Sequence, residues 1–167
     1  MNSQESDVTG KVLRGAIAGL VAGIAASFVM DRFQAGVASM SSSDADTGEP
    51  ATEKAADGIA MTLTGTAIAE DNKPLAGQTI HYALGAVLGV AYGIAAEFRP
   101  AATSGFGAAF GVATATVLDE IAVPAVGLGK APWQVSLSDN LYSYASHLVF
   151  GSTTEFVRRQ VRATLNG

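Results

Sequence analysis

Glycine and other small residues recur every fourth position inside the apolar stretches of this chain, and that spacing limits what the chain can become. The first stretch, residues 15–30, carries Gly15, Gly19, Gly23 and Ser27 and runs on to Asp31. The second, residues 82–96, is framed by His81 and Glu97 and carries Gly85, Gly89 and Gly93 between them. The third, residues 104–127, has Gly107, Gly111 and Ala115 leading to Asp119. The fourth, residues 141–156, has Ser143, His147, Gly151 and Glu155. A helical period puts each row on one slowly drifting face. In water each glycine inside a helix costs about 1 kcal/mol relative to alanine. In lipid, small residues at this spacing let helix backbones approach closely, which is how membrane helices associate. The glycines therefore favour lipid over the competing reading, a soluble Ala/Gly-rich bundle.

Each uncharged run is short for a bilayer, which needs about 20 mostly apolar residues. Flanking residues able to snorkel, such as Arg14, Arg32 and Arg158, extend them. The expected spans are residues 12–33, 78–98, 104–127 and 139–160 in one membrane domain, an antiparallel four-helix transmembrane bundle in an all-α polytopic protein. A signal peptide is the other reading of the first run, but the three similar runs behind it favour a retained span. The 167 residues suit a single bundle. The net charge of −5 argues against a nucleic-acid partner. The absence of cysteine excludes disulfides and thiol chemistry.

Lysine and arginine near the span ends set orientation. Lys11, Arg14, Arg99, Arg158, Arg159 and Arg162 fall on one side, and Arg32, Lys54, Lys73 and Lys130 on the other. The expectation is a membrane protein with both termini cytoplasmic. Residues 34–77 then form an outer loop that holds much of the acid, including Asp44, Asp46, Glu49, Glu53, Asp57, Glu70 and Asp71. Its start, residues 41–50, reads as a flexible polar link. Residues 51–69 read as an amphipathic helix with Ala55, Ile59, Leu63 and Ile68 as its apolar stripe. Trp133, Tyr142 and Tyr144 fall where an outer aromatic belt is expected, and Asp139 is a candidate N-cap for the last span.

Ionisable residues inside spans are functional candidates. The proposed topology brings Asp31, His81, Asp119, Glu120 and His147 to a similar depth in the outer half. Glu97, Arg99, Glu155 and Arg158 form a second set at the inner surface. Three readings of the outer set compete. The residues can pair structurally and fix helix register. They can relay protons or ions, since histidine and buried carboxylates titrate near neutral pH. They can bind a transition metal, although the Glu-x-x-His repeat of di-iron bundles is missing. No catalytic triad, phosphate loop or dinucleotide fingerprint is present, so no catalytic residue or resident cofactor is expected. A non-enzymatic accessory or scaffold component is the first functional expectation, self-associating or joining other membrane subunits. Proton or ion handling is the second, and a metal enzyme the third.

The segments HYALGAVLGVAYGIAAEFRP, VGLGKAPW and SHLVFGSTTEFVRRQVR resemble the YagU-type family of small bacterial inner-membrane proteins. Matching positions are His81, Gly127, Leu128, Pro132, Trp133, His147, Glu155, Arg158 and Arg159, over about residues 81–162. The resemblance implies a four-helix inner-membrane protein and brings no reaction with it.

Overall fold

The computed structural model describes residues 3–40 and 48–165. Asp44 and Asp46 of the acidic loop, and most of the polar link, lie outside the described residues. Helix α1 is Ser3–Met40, α2 Ala51–Thr64 and α3 Lys73–Phe98, entered through a 3₁₀ turn at Glu70–Asn72. Helix α4 is Ala108–Ala115, continued by a π-helical segment Thr116–Ala122 and a last turn, α5, Val123–Ala125. Helix α6 is Leu137–Thr164. Among the described residues there is no strand, so the molecule is all-α.

The glycine rows decide how these helices meet. Gly15 lies against Gly93, Gly19 against Gly89 and Gly23 against Gly85, so α1 and α3 run antiparallel at backbone contact. A Cβ on Gly19 would overlap the Gly89 carbonyl oxygen, and one on Gly89 that of Gly19. Gly107 and Gly111 meet Gly151 and the His147 carbonyl in the same manner, pairing α4 with α6. Helix α1 also packs along α6. Ala18, Ala22, Ala26 and Met30 form a second buried row on α1, and Ala26 and Met30 join Phe150 in the core. Helices α3 and α4 approach each other less closely, meeting through the Tyr92 and Phe110 rings 4.4 Å apart.

Three helical stretches among the described residues are long and apolar enough to cross a membrane: Glu5–Met40, Glu70–Phe98 and Ala108–Ala125. Helix α6 has the length but is not among them; besides its charged residues it carries Asn140, Ser143, Ser146, His147, Ser152, Thr153 and Thr154. The third stretch begins later than the expected residue 104. Pro100–Thr103 is a 3₁₀ turn, and Gly105, Phe106 and Gly107 then take left-handed φ of 62°, 56° and 83°. At Gly107 both the φ and the contact with Gly151 demand glycine. The π segment has a local cause. Pro124 has no N–H for the Glu120 carbonyl and its ring would crowd that carbonyl, so the helix widens just before it.

Two further expectations change. Ser136, not Asp139, caps α6: its Oγ accepts the Asp139 N–H at 3.1 Å and donates to Asp139 Oδ2 at 2.7 Å. The amphipathic helix exists as α2 but ends at Thr64; it packs on α3 with Glu53 against Gly77, and Ala56 is its buried residue. Ile59 and Leu63 of the expected stripe are exposed, Leu63 by 78%. Trp133 is 84% exposed, Tyr142 stacks on Phe33, and Tyr144 bonds Thr116 at 3.0 Å.

Candidate functional site

At one end of the α1–α3 contact, Asp31 Oδ1 lies 3.2 Å from His81 Nε2. Its other oxygen accepts a 2.6 Å hydrogen bond from Gln78 Nε2, one turn before the histidine on α3. The corresponding end of the α4–α6 contact holds Asp119 with Oδ2 3.4 Å from His147 Nδ1. Ser143 Oγ, one turn before that histidine on α6, donates to the same carboxylate oxygen. Asp119 stands on the π segment, where the wider turn changes its direction relative to a regular helix. His147 Nδ1 also lies 3.1 Å from the Ser143 carbonyl.

Both pairs line one cavity of about 480 Å³, together with Gln34, Glu53 and the apolar Met30, Leu84, Leu118 and Val123. A smaller chamber of about 40 Å³ shares both histidines and reaches inward to Ser27 and Thr114. Ser27 is 0% exposed and its Oγ has no hydrogen-bond partner. Four of the five outer candidates thus converge, whereas Glu120 is not among the lining residues. Among the described residues no three of His, Asp or Glu come together closely enough to hold a metal ion.

The inner set also regroups. Glu155 is 0% exposed and accepts from Tyr92 Oη at 2.7 Å, Arg158 Nε at 2.8 Å and Arg159 Nε at 2.5 Å. Glu97 pairs instead with Arg162, whose Nη2 donates to Glu97 Oε2 at 3.0 Å. That bond raises the Arg162 guanidinium above its already high usual pKa, so it stays charged. Arg99 is exposed and stands apart from both groups. The Arg159 guanidinium covers the Phe106 ring at 4.8 Å. Between the two polar regions the rings of Tyr92, Phe110 and Phe150 form a stack, with Phe110 and Phe150 5.9 Å apart. Tyr92, Gln78 and Ser143 were invisible as site residues in the sequence. The signal that could have found Gln78 and Ser143 is their position one turn before each histidine.

No curated protein and no solved structure matches this chain. A family model does match residues 42–156, which include both histidines, Asp119 and Glu155. By that match the chain belongs to the family described as "Protein of unknown function (DUF1440)".

Proposed function

We propose that this chain is a four-helix integral protein of the bacterial inner membrane, with both termini cytoplasmic, that handles protons or small ions through its two Asp–His pairs. The observation that carries this reading is the convergence of Asp31–His81 and Asp119–His147 on one cavity. Paired carboxylates and imidazoles inside membrane helices are the groups from which proton and ion paths are built, and the cavity gives a route to both pairs. Below the cavity, the aromatic stack and then Glu155 with its Tyr92 bond lie on the line toward the other end, roughly 12 Å along α6 from His147.

The membrane part of the reading rests on where polar groups sit. The largest fully buried side chains are Glu155, Thr154, Ser27 and Ser146, all polar. The exposed ones include Leu13, Phe28, Val87, Val117, Ile121 and Phe156, spread over the four main packing helices. A helix with polar residues inward and apolar residues outward suits lipid, and α6 is such a helix despite its low mean hydropathy. The likeness of residues 81–162 to the YagU-type family agrees with the four-span topology.

The test is proton flux in proteoliposomes carrying a pH-sensitive dye. Wild type should dissipate an imposed pH gradient faster than His147→Ala or Asp119→Asn; indistinguishable traces would sink the reading. A second reading, an accessory or scaffold component without enzymatic activity, draws on the exposed apolar side of α2. There Ile59 and Leu63 form a groove with Val126 and Leu128. The packing glycines are engaged within the chain, so self-association would have to use such a surface instead. Copurification in mild detergent tests it: a partner should stay with wild type and leave on Ile59→Glu.

A further inference from the structure

The residues around the cavity occur twice. On α1 the run Gly19-x-x-x-Gly23 is followed eight residues on by Asp31; on α4 the run Gly107-x-x-x-Gly111 is followed eight residues on by Asp119. Within those runs Ala25 matches Ala113, Val29 matches Val117, and Met30 matches Leu118. On α3 the partner run is His81-x-x-x-Gly85, and on α6 it is His147-x-x-x-Gly151. Both hairpins pack glycine on backbone, with the second one turn out of register: Gly23 lies on the Gly85 carbonyl, whereas Gly111 lies on the His147 carbonyl and Gly107 on that of Gly151. In each hairpin a polar side chain one turn before the histidine donates to the aspartate. The two hairpins thus share one glycine, aspartate and histidine pattern, with α2 inserted in the longer connection of the first.

The cavity lies between the hairpins and is walled by their equivalent residues. Met30 faces the same space as Leu118, Asp31 as Asp119, and His81 as His147. Repeat interfaces are where membrane transporters place their substrate sites. The wall chemistry selects a ligand class. Asp31 and Asp119, joined by Glu53 from α2, make the cavity acidic, and among the described residues no Lys or Arg lines it. The apolar walls and the volume of about 480 Å³ exceed what a bare ion needs and fall in the small-molecule range. Inside the adjoining chamber, Ser27 Oγ is buried without a hydrogen-bond partner.

We propose that this cavity binds a small organic amine, with its ammonium between Asp31 and Asp119 and its apolar body against Met30, Leu84 and Leu118. Ser27 Oγ accepts from a group that enters the chamber. The inference rests on the ion-handling reading above, since the same aspartates serve both, and it names the ligand class.

The experiment is calorimetric titration of the full chain in mild detergent with tyramine, with tyrosol as the neutral analogue and 4-hydroxyphenylacetate as the anionic one. Tyramine should bind, and the two analogues should bind at least tenfold more weakly. Asp31→Asn and Asp119→Asn should each weaken tyramine at least tenfold, while Asp71→Asn at an exposed position leaves it unchanged. Leu84→Trp, which fills the cavity and keeps both carboxylates, should also abolish binding; unfolding temperatures of the variants separate this from misfolding. Equal binding of tyrosol overturns the proposal, as does loss on only one of the two aspartate substitutions. Proton flux without tyramine binding overturns this inference alone. Tyramine binding without proton flux overturns the ion-handling reading alone.

Discussion

The hydroxyl of Tyr92 donates a 2.7 Å hydrogen bond to Glu155 Oε2, tying the far part of α3 to the buried centre of the polar cluster on α6. Tyr92 is itself buried, and its ring stacks on Phe110. One residue therefore closes the loose α3–α4 seam and satisfies a buried carboxylate. Tyr92→Phe keeps the stack and removes the donor, so it should cost about 1.5–3 kcal/mol, the range for a hydrogen bond to a charged group. Glu155→Gln leaves Arg158 without its counter-charge in a nearly buried place and should cost more, about 3–5 kcal/mol. Unfolding in mixed micelles, followed by circular dichroism, ranks the two; equal stability of Glu155→Gln and wild type would refute the buried pairing.

Two glycines on α1 should answer the same substitution with opposite signs. Gly19→Ala places a methyl group on the Gly89 carbonyl and must push α1 and α3 apart. Gly36 has nothing within 4 Å of an added Cβ, so Gly36→Ala should stabilise by up to about 1 kcal/mol through helix propensity. Thermal unfolding of the two variants beside wild type checks both signs at once.

The start of α6 makes a smaller prediction. Ser136→Ala removes the acceptor for the Asp139 N–H and should lower stability by about 1 kcal/mol. Amide exchange at Asp139 and Asn140 should quicken in that variant, with the middle of α6 unaffected.

Pro124 offers a test of how the helix aims Asp119. In Pro124→Ala the Glu120 carbonyl regains a donor, and α-helix should replace the π turn. Asp119 then leaves Ser143 and His147. Proton flux should fall toward the Asp119→Asn level while the unfolding temperature holds or rises. Unchanged flux would show that the π segment does not orient the aspartate.

The helical class, the three apolar stretches and the glycine rows were legible in the sequence, because a four-residue period of small side chains has one physical meaning in a helix. The rows end in Asp31, His81, Asp119 and Glu155; Glu155 is fully buried, and the other three line the cavity, with the Asp119 side chain 37% exposed. What the rows could not tell is which helix each would meet. Gly19 fits against any smooth backbone, and only the tertiary structure pairs it with Gly89 and pairs Gly111 with Gly151. The same limit explains the regrouped charges. Glu97, Arg99, Glu155 and Arg158 share one end of the bundle by sequence, but a pair forms through side-chain direction. Glu97 reaches Arg162, Glu155 reaches Tyr92, and Arg99 turns outward where the helix ends. The sequence by itself determined the helices and, where the glycine rows run, the faces they bury, since both follow from local periodicity; on α2 the expected stripe of Ile59 and Leu63 is exposed instead. The cavity with an Asp–His pair on each side depends on how two hairpins lie against each other and on one π turn, and only the tertiary structure decided it.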